Sequence, residues 1–281
     1  MRGIAYGVGV GPGDPELMTR KAIRLIRECG VIAVPGQVAE ESVAYQIAAA
    51  MVPELRDKEL VPVYMPMVKD RALLEEQHRR GARVLEQYLD RGRDVAFLTL
   101  GDPTIYSTFS YLQHILEADG YTVALVPGVP SFCAAAARLG LPLAEWDEPL
   151  HIVPAAHRAE EPLSQSGTYV LMKSASHMAE VKALLRQSGR DAVCVENGGM
   201  ETERYTAAWR RSPMTPGISP SLSQKSAAIE PRGIGPGKQN NRHSTLSNRQ
   251  GAVSIIYWLW ALPFMTAGGC RRKGSALCRR W

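Results

Sequence analysis

The stretch Y-G-V-G-V-G-P-G-D-P-E-L-M-T, residues 6–19, decides the fold of this 281-residue chain. An apolar run, I-A-Y-G-V at residues 4–8, leads into it, and its alternating glycines stop at Asp14-Pro15. The apolar run is typical of a buried strand. Proline after a capping aspartate is typical of the first turn of a helix. The stretch therefore predicts a strand, a glycine loop and a helix, an arrangement that often binds an anionic or nucleotide-like ligand.

The glycine loop does not match two familiar ligand-binding motifs. The pattern G-x-G-x-x-G ends on Asp14 when it is read from Gly9, and on Pro12 when it is read from Gly7. No lysine follows the glycines, as a phosphate-binding P-loop requires. On this stretch alone, a tight turn without a ligand is as good an interpretation as a binding loop.

Two later stretches repeat the pattern of an apolar strand followed by glycine and proline. They are V-A-F-L-T-L-G-D-P-T-I-Y-S, residues 95–107, and V-A-L-V-P-G-V-P-S-F, residues 123–132. Strands alternate with helical patterns through most of the chain, which predicts an α/β class with mostly parallel sheets. In such sheets, ligands bind at the carboxyl ends of the strands, so we expect the three loops to meet at one site.

The chain divides into three parts by pattern. We expect an N-terminal α/β domain at residues 1–126 and a second α/β domain at 127–204, with the Pro-Gly-rich residues 127–130 as the linker. Beyond Arg204 the sequence is rich in Pro, Ser and Gly, which predicts a disordered tail at 205–281. Helices are predicted at residues 20–28, 41–50, 70–91, 107–118, 131–139 and 178–187, and further strands at 31–35, 151–153, 168–172 and 192–195.

Charge separates at the same boundary. Residues 1–204 hold 21 Lys/Arg and 27 Asp/Glu, a net −6, whereas residues 205–281 hold 12 Lys/Arg and one acid, a net +11. The basic tail keeps a nucleic-acid-binding function open, although no known module is recognisable in it. The five cysteines form no C-x-x-C pattern, which argues against a zinc ribbon or a disulfide framework.

The sequence also bears on location. The N-terminus leads directly into the first strand and lacks the pattern of a signal peptide. The apolar residues 252–265 are fewer than the roughly 20 that a membrane helix needs, and Pro263 interrupts them. We therefore expect a cytoplasmic protein.

The three glycine/proline stretches, together with V-E-N-G-G-M-E-T-E at residues 195–203, resemble the tetrapyrrole methylases. These are the S-adenosylmethionine-dependent enzymes of corrin and sirohaem synthesis. The resemblance runs from residue 1 to about 204, and it is greatest to the members that methylate C20 of precorrin-2 or cobalt-factor II in cobalamin biosynthesis. It implies a cofactor folded between two α/β domains, a tetrapyrrole substrate and a homodimer. A metal-free or a cobalt-bearing substrate, another corrin carbon and a ribosomal RNA ribose all stay open as alternatives.

The resemblance also implies a cofactor site. Its residues, carried over by matched motif, are Pro12, Leu100, Gly101, Asp102, Ile105, Tyr106, Ser131, Phe132, Met172 and Asn197. Three of them have structural alternatives: Asp102 as a helix cap, Met172 as a core residue and Asn197 as part of a plain turn.

The implied methyl transfer needs few chemically active side chains. A sulfonium methyl is already a strong electrophile, so the resemblance implies neither a nucleophilic side chain nor a metal. The base that removes the proton from the methylated carbon is not identified, and solvent or a substrate carboxylate would serve. The acid arms of the substrate need cations, for which the candidates are Arg20, Lys21, Arg24 and Lys173.

The sequence after Arg204 departs from the family, whose members continue into a strand of the type G-Y-F-S-L. Residues 205–220, written in plausible codons and read from one added G, give V-Y-R-S-L-E-E-I-P-D-D-A-G-Y-F-S. One of these aspartates is forced, because Met214-Thr215 admits no other codon in that frame. We therefore predict that a single base is lost just after Arg204 and that the second domain lacks its last strands. A genuine disordered extension is the alternative.

Overall fold

The computed structural model describes residues 1–66, 70–154, 163–172, 178–188, 190–200, 203–209 and 253–258. These residues form two five-stranded sheets with helices between the strands. The strands are β1 (Ile4–Gly9), β2 (Val31–Pro35), β3 (Glu59–Val63), β4 (Val95–Thr99), β5 (Thr122–Val126), β6 (Leu150–Pro154), β7 (Thr168–Met172), β8 (Asp191–Glu196), β9 (Arg204–Trp209) and β10 (Val253–Trp258). The helices are α1 (Arg20–Glu28), α2 (Val43–Met51), α3 (Arg71–Leu89), α4 (Phe109–Ala118), α5 (Ser131–Leu139) and α6 (Met178–Ser188). The predicted α/β class with mostly parallel sheets is confirmed.

The first sheet has the strand order β3-β2-β4-β1-β5, and all of its pairs are parallel. Its central strands are apolar throughout because both faces are covered. One face packs against α1 and α2 around Ile26 and Ile32, and the other packs against α3 and α4 around Phe97 and Phe109. Parallel sheets that are buried on both faces show such continuous apolar runs, and this is why the strands were readable from the sequence.

Polar caps fix where the helices begin. The predicted helical turn at Pro15 is one turn of 3₁₀ helix, in which Asp14 Oδ1 accepts a hydrogen bond from Glu16 N at 3.0 Å. Helix α1 starts only at Arg20, because Thr19 Oγ1 accepts from Ala22 N at 3.2 Å. Side-chain oxygens of this kind satisfy amides that have no partner within the helix.

The second sheet has the strand order β6-β7-β10-β8-β9. Strand β10 lies in the middle and pairs in parallel with both β7 and β8, whereas β9 pairs antiparallel with β8. Three of its strands, β6, β7 and β8, coincide with predicted ones.

The predicted disordered tail needs correction at two places. Residues 204–209 and 253–258 form β9 and β10, so the sequence beyond Arg204 contributes two strands to the second sheet. The physical reason is pairing: β7 and β8 both offer backbone groups to the slot between them, and V-S-I-I-Y-W has the β-branched and aromatic residues that favour strands. The rest of the tail lies outside the described residues. Among the described helices, none is long and apolar enough to cross a membrane.

Candidate functional site

Three loops meet at the carboxyl edge of the first sheet, and glycines make their contact possible. A Cβ added to Gly128 would lie 2.1 Å from Gly101 O and 3.0 Å from Gly9 Cα. A Cβ added to Gly9 would lie 2.6 Å from Gly101 O and 2.7 Å from Gly128 N. Real side chains do not fit such distances, so β1, β4 and β5 end in direct contact between their backbones. The expectation that these loops converge is confirmed.

Hydrogen bonds hold the three loops together. Gly101 N donates to Gly11 O at 2.7 Å, and Val10 N donates to Thr99 O at 2.9 Å, so the loop after β1 pairs with the loop after β4. Thr19 Oγ1 donates to Pro127 O at 3.4 Å and connects the start of α1 to the loop after β5. These hydrogen bonds hold the backbones of the three loops against one another.

Gly101 has one open side. Its φ of +72° lies in the left-handed region, and the nearest atoms to a built Cβ are Ser131 N at 3.9 Å and Val129 O at 4.0 Å. Ser131 is the first residue of α5, and both it and Phe132 are buried. The space beside Gly101 is therefore bounded by backbone amide and carbonyl groups at the N-terminus of a helix.

The Asp102 carboxylate accepts hydrogen bonds from within the protein. Its Oδ1 accepts from Thr104 N at 2.8 Å and from the Thr104 hydroxyl, and its Oδ2 accepts from Gly128 N at 2.9 Å. The side chain is 8% exposed. Asp102 is not a helix cap, because α4 begins only at Phe109; its carboxylate caps the turn at Thr104 and also holds the loop after β5 against the loop after β4.

The second sheet reaches the same edge through the V-E-N-G-G segment at the end of β8. A Cβ on Gly13 would lie 2.6 Å from Gly198 O, and a Cβ on Gly199 would lie 2.7 Å from Asp14 N. Asn197 has a φ of +50° and accepts a hydrogen bond at its carbonyl from Met200 N at 3.0 Å, as in a turn. The loop after β8 therefore packs directly on the loop after β1, and Asn197 stands next to that contact.

Tyr106 makes a second connection between the two sheets. Its hydroxyl donates to Ile152 O in β6 at 2.9 Å, and its backbone has a φ of +48°. The left-handed region is uncommon for a residue other than glycine. Tyr106 is 41% exposed, so it presents an aromatic surface between the first sheet and the second.

The structure brings most of the predicted site residues to this edge. Pro12 is buried between Gly11 and Gly13, and Leu100 and Ile105 are half-buried on either side of the Gly-Asp-Pro turn. Met172 is half-buried at the carboxyl end of β7, in register with Pro154 and Tyr257. The sequence analysis placed the loop after β5 at this edge but did not single out Gly128, whose lack of a side chain lets the three loops meet.

The candidate cations for the substrate's acid arms differ in their ion pairing. Arg20 and Lys21 are exposed in the first turn of α1, beside the converging loops. Arg24 is exposed but pairs with Glu28 at 2.7 Å, and Lys173 lies outside the described residues. Thr99 Oγ1, at the end of β4, is a buried polar atom with no hydrogen-bond partner in the described part of the chain.

The described residues contain no group of three His, Cys, Asp or Glu side chains that could hold a metal ion. Burial lowers the pKa of His78, which stacks on Tyr111 with 4.4 Å between ring centroids. Burial raises the pKa of Cys133 in α5. Nothing in this set resembles a nucleophile with an adjacent base.

Two mostly parallel α/β sheets whose carboxyl-end loops lie close together are typical of proteins that bind a ligand at that edge. Comparison with known proteins gives the family. The family model described as Tetrapyrrole (Corrin/Porphyrin) Methylases matches residues 5–210. The chain belongs to this family.

Individual relatives agree with the family match. The probable cobalt-precorrin-2 C(20)-methyltransferase of Methanocaldococcus jannaschii is 38% identical over 170 residues, covering 60% of this chain and 71% of the relative. The cobalt-precorrin-2 C(20)-methyltransferase of Salmonella typhimurium is 34% identical over 194 residues, covering 67% and 80%. The uroporphyrin-III C-methyltransferase of Thermus thermophilus, solved with S-adenosylhomocysteine, is 26% identical with a TM-score of 0.51, covering 76% of this chain and 94% of that one.

Proposed function

We propose that this chain is an S-adenosylmethionine-dependent methyltransferase that methylates C20 of precorrin-2 or cobalt-factor II in cobalamin biosynthesis. The observation that supports it most is the contact of Gly9, Gly101 and Gly128 at one sheet edge. That edge lies against the loop after β8, and the family binds its cofactor between two α/β domains, which supports a cofactor site here. Relatives with the same named activity are 30–38% identical to this chain.

The residues at the edge fit an adenosyl cofactor. Glycines without side chains let backbone amides and carbonyls approach a ligand closely, and Gly101 leaves open space toward Ser131 N. Hydroxyl and amino groups of an adenosine moiety require such donors and acceptors. The proposed cofactor residues are those carried over from the family: Pro12, Leu100, Gly101, Asp102, Ile105, Tyr106, Ser131, Phe132, Met172 and Asn197.

We assign these residues different roles in binding the cofactor. Gly101 and Ser131 offer backbone atoms to it. Asp102 accepts a hydrogen bond from Gly128 N at 2.9 Å and so keeps the wall of the site in place. Tyr106, tied to Ile152 across the domains, closes one side of the cleft. These roles place and enclose the reactants, and water is excluded as a result.

When bound, S-adenosylmethionine supplies an electrophilic sulfonium methyl. The chain's part in the transfer is to hold the substrate carbon in line with that methyl and to keep water away. The exposed Arg20 and Lys21 at the start of α1 are our candidates for carboxylate arms of the tetrapyrrole, because charge-assisted hydrogen bonds to carboxylates are strong. We further propose that the enzyme is a homodimer, as is common in this family.

The direct test is to incubate the protein with methyl-labelled S-adenosylmethionine and either precorrin-2 or cobalt-factor II. We expect one labelled methyl at the C20 meso carbon, located by NMR of the product, and comparison of the two substrates decides the metal question. Label on another carbon would reassign the chain to another methylase of this fold. Label on ribosomal RNA alone would contradict the corrin assignment. The net charge of −6 in residues 1–204 disfavours an RNA-binding surface.

A further inference from the structure

Arg138 connects two segments that are far apart in sequence. It lies in the last turn of α5, and its guanidinium reaches Asp14 Oδ2 at 3.2 Å and Glu203 Oε1 at 3.2 Å. Asp14 belongs to the loop after β1 in the first domain, whereas Glu203 follows the loop after β8 in the second. One side chain therefore holds a carboxylate from each side of the domain contact.

Each carboxylate also organises its own loop. Asp14 Oδ1 accepts from Glu16 N at 3.0 Å and thereby starts the 3₁₀ turn, which leaves Oδ2 for Arg138. Glu203 Oε2 accepts from Gly199 N, and the Glu203 side chain is only 11% exposed. Movement of either carboxylate would therefore move the loop that it caps.

The two loops touch each other beside Arg138. A Cβ on Gly199 would lie 2.7 Å from Asp14 N, and one on Gly13 would lie 2.6 Å from Gly198 O. Pro12 and Asn197, two residues of the proposed cofactor site, directly adjoin these glycines. The spacing of the two sides of the cleft thus depends on a contact that Arg138 spans.

We propose that Arg138 is a positioning residue that locks the loop after β1 against the loop after β8 and so sets the cofactor cleft. This role rests on the proposed function. An isolated surface ion pair contributes little, but Arg138 joins two carboxylates that each bind backbone amides as well. A planar guanidinium presents several donors in a fixed fork, which a lysine ammonium does not.

The test compares Arg138→Met and Arg138→Lys with Arg79→Met. Arg79 is the matched control because it also pairs across elements, with Asp119, at a similar exposure of 44% against 38% for Arg138. Binding of S-adenosylhomocysteine is measured by calorimetry. Hydrogen exchange of the unliganded proteins reports on residues 10–19 and 197–200.

We expect Arg138→Met to bind S-adenosylhomocysteine about tenfold more weakly, within the usual range of coupling between sites, and to exchange faster in both loops. Arg138→Lys should fall between Met and the unchanged protein, and Arg79→Met should match the unchanged protein in both measurements. In a second arm, Asp14→Asn should weaken binding alone but add little to Arg138→Met, since coupled residues are not additive.

The outcomes separate this role from the proposed function. Absence of binding by the unchanged protein would remove the cofactor assignment and the positioning role with it. Normal binding by the unchanged protein and equally tight binding by Arg138→Met would overturn the lock alone. Faster exchange in Arg138→Met without a change in affinity would also overturn it, because the ion pairs would then serve stability only.

Discussion

Substitutions of Gly101 distinguish the backbone strain of its positive φ from obstruction of the proposed cofactor site. Gly101 has a φ of +72°, and a Cβ built on it meets nothing nearer than 3.9 Å. Alanine there has room but adopts the left-handed region, which costs about 1–2 kcal/mol. Since about 1 kcal/mol shifts the melting temperature of a chain of this size by roughly 2–4 °C, we expect Gly101→Ala to melt roughly 2–8 °C lower.

Valine at position 101 would cause the same backbone strain and would also fill the space beside the loop. Its methyl carbons lie about 1.5 Å beyond Cβ, in the space between Gly101 and Ser131 N, which is 3.9 Å from the built Cβ. The β-branched side chain is also poorly tolerated at positive φ. Gly101→Val should therefore fill the side of the loop on which we place the cofactor, and it should abolish binding.

The assay is thermal unfolding with and without S-adenosylhomocysteine. A ligand at about 100 times its dissociation constant stabilises the native state by about 2.7 kcal/mol, which corresponds to a rise of roughly 5–11 °C. The unchanged protein should show this rise and Gly101→Val should show none.

The matched control is Gly120→Ala, which has a φ of +80° and a nearest neighbour at 3.9 Å but lies at the other end of β5. It should lose about as much stability as Gly101→Ala and keep the full ligand-induced rise. A full rise in a cooperatively folded Gly101→Val would refute the placement of this loop in the site.

Gly128→Ala should destabilise the fold far more than Gly101→Ala, because its Cβ would lie 2.1 Å from Gly101 O; a comparable melting temperature in the two variants would contradict the close backbone contact. Burial raises the pKa of Cys29 from 9.0 to about 11, so the unfolded chain ionises first, and stability should fall as the pH rises from 9 to 11. Alkylation of Cys29 in the folded protein should correspondingly be slow at pH 8, and fast labelling that leaves the protein folded would argue against its burial. Sequencing of the gene should reveal one missing base just after Arg204; an uninterrupted frame whose codons do not re-read as a strand-forming, acid-containing segment would end that hypothesis.

The hypothesis of a lost base also predicts a different strand for the second sheet. Beyond the predicted G-Y-F-S, the same shifted reading of Pro220 to Ser223 permits L-V-I, so the codons admit the apolar segment Y-F-S-L-V-I. Such a segment has the composition of a buried strand. With the base restored, Val253–Trp258 would no longer be encoded, and this segment would be the candidate for its place in the second sheet. Mass spectrometry of the purified protein would show which of the two reading frames is translated.

The sequence alone determined the local elements and the ligand edge. Apolar runs that are buried on both faces identify β1, β2 and β4, and the glycine/proline loops after β1, β4 and β5 identify the edge, because both signals are contained in short segments. Capping residues were also local signals: Asp14-Pro15 begins the 3₁₀ turn, and α1 begins at the predicted Arg20 behind the Thr19 cap.

Only the tertiary structure decided the features that depend on distant partners. Strand β10 was not expected in the second sheet, because a strand between β7 and β8 is selected by their backbone groups rather than by its own neighbours in sequence. The Asp102 carboxylate could have met a ligand or a cap, and its bond to Gly128 spans 26 residues. Arg138 gave no sequence signal at all, since its partner Asp14 is 124 residues away and an arginine at a helix end is ordinarily a solvated charge.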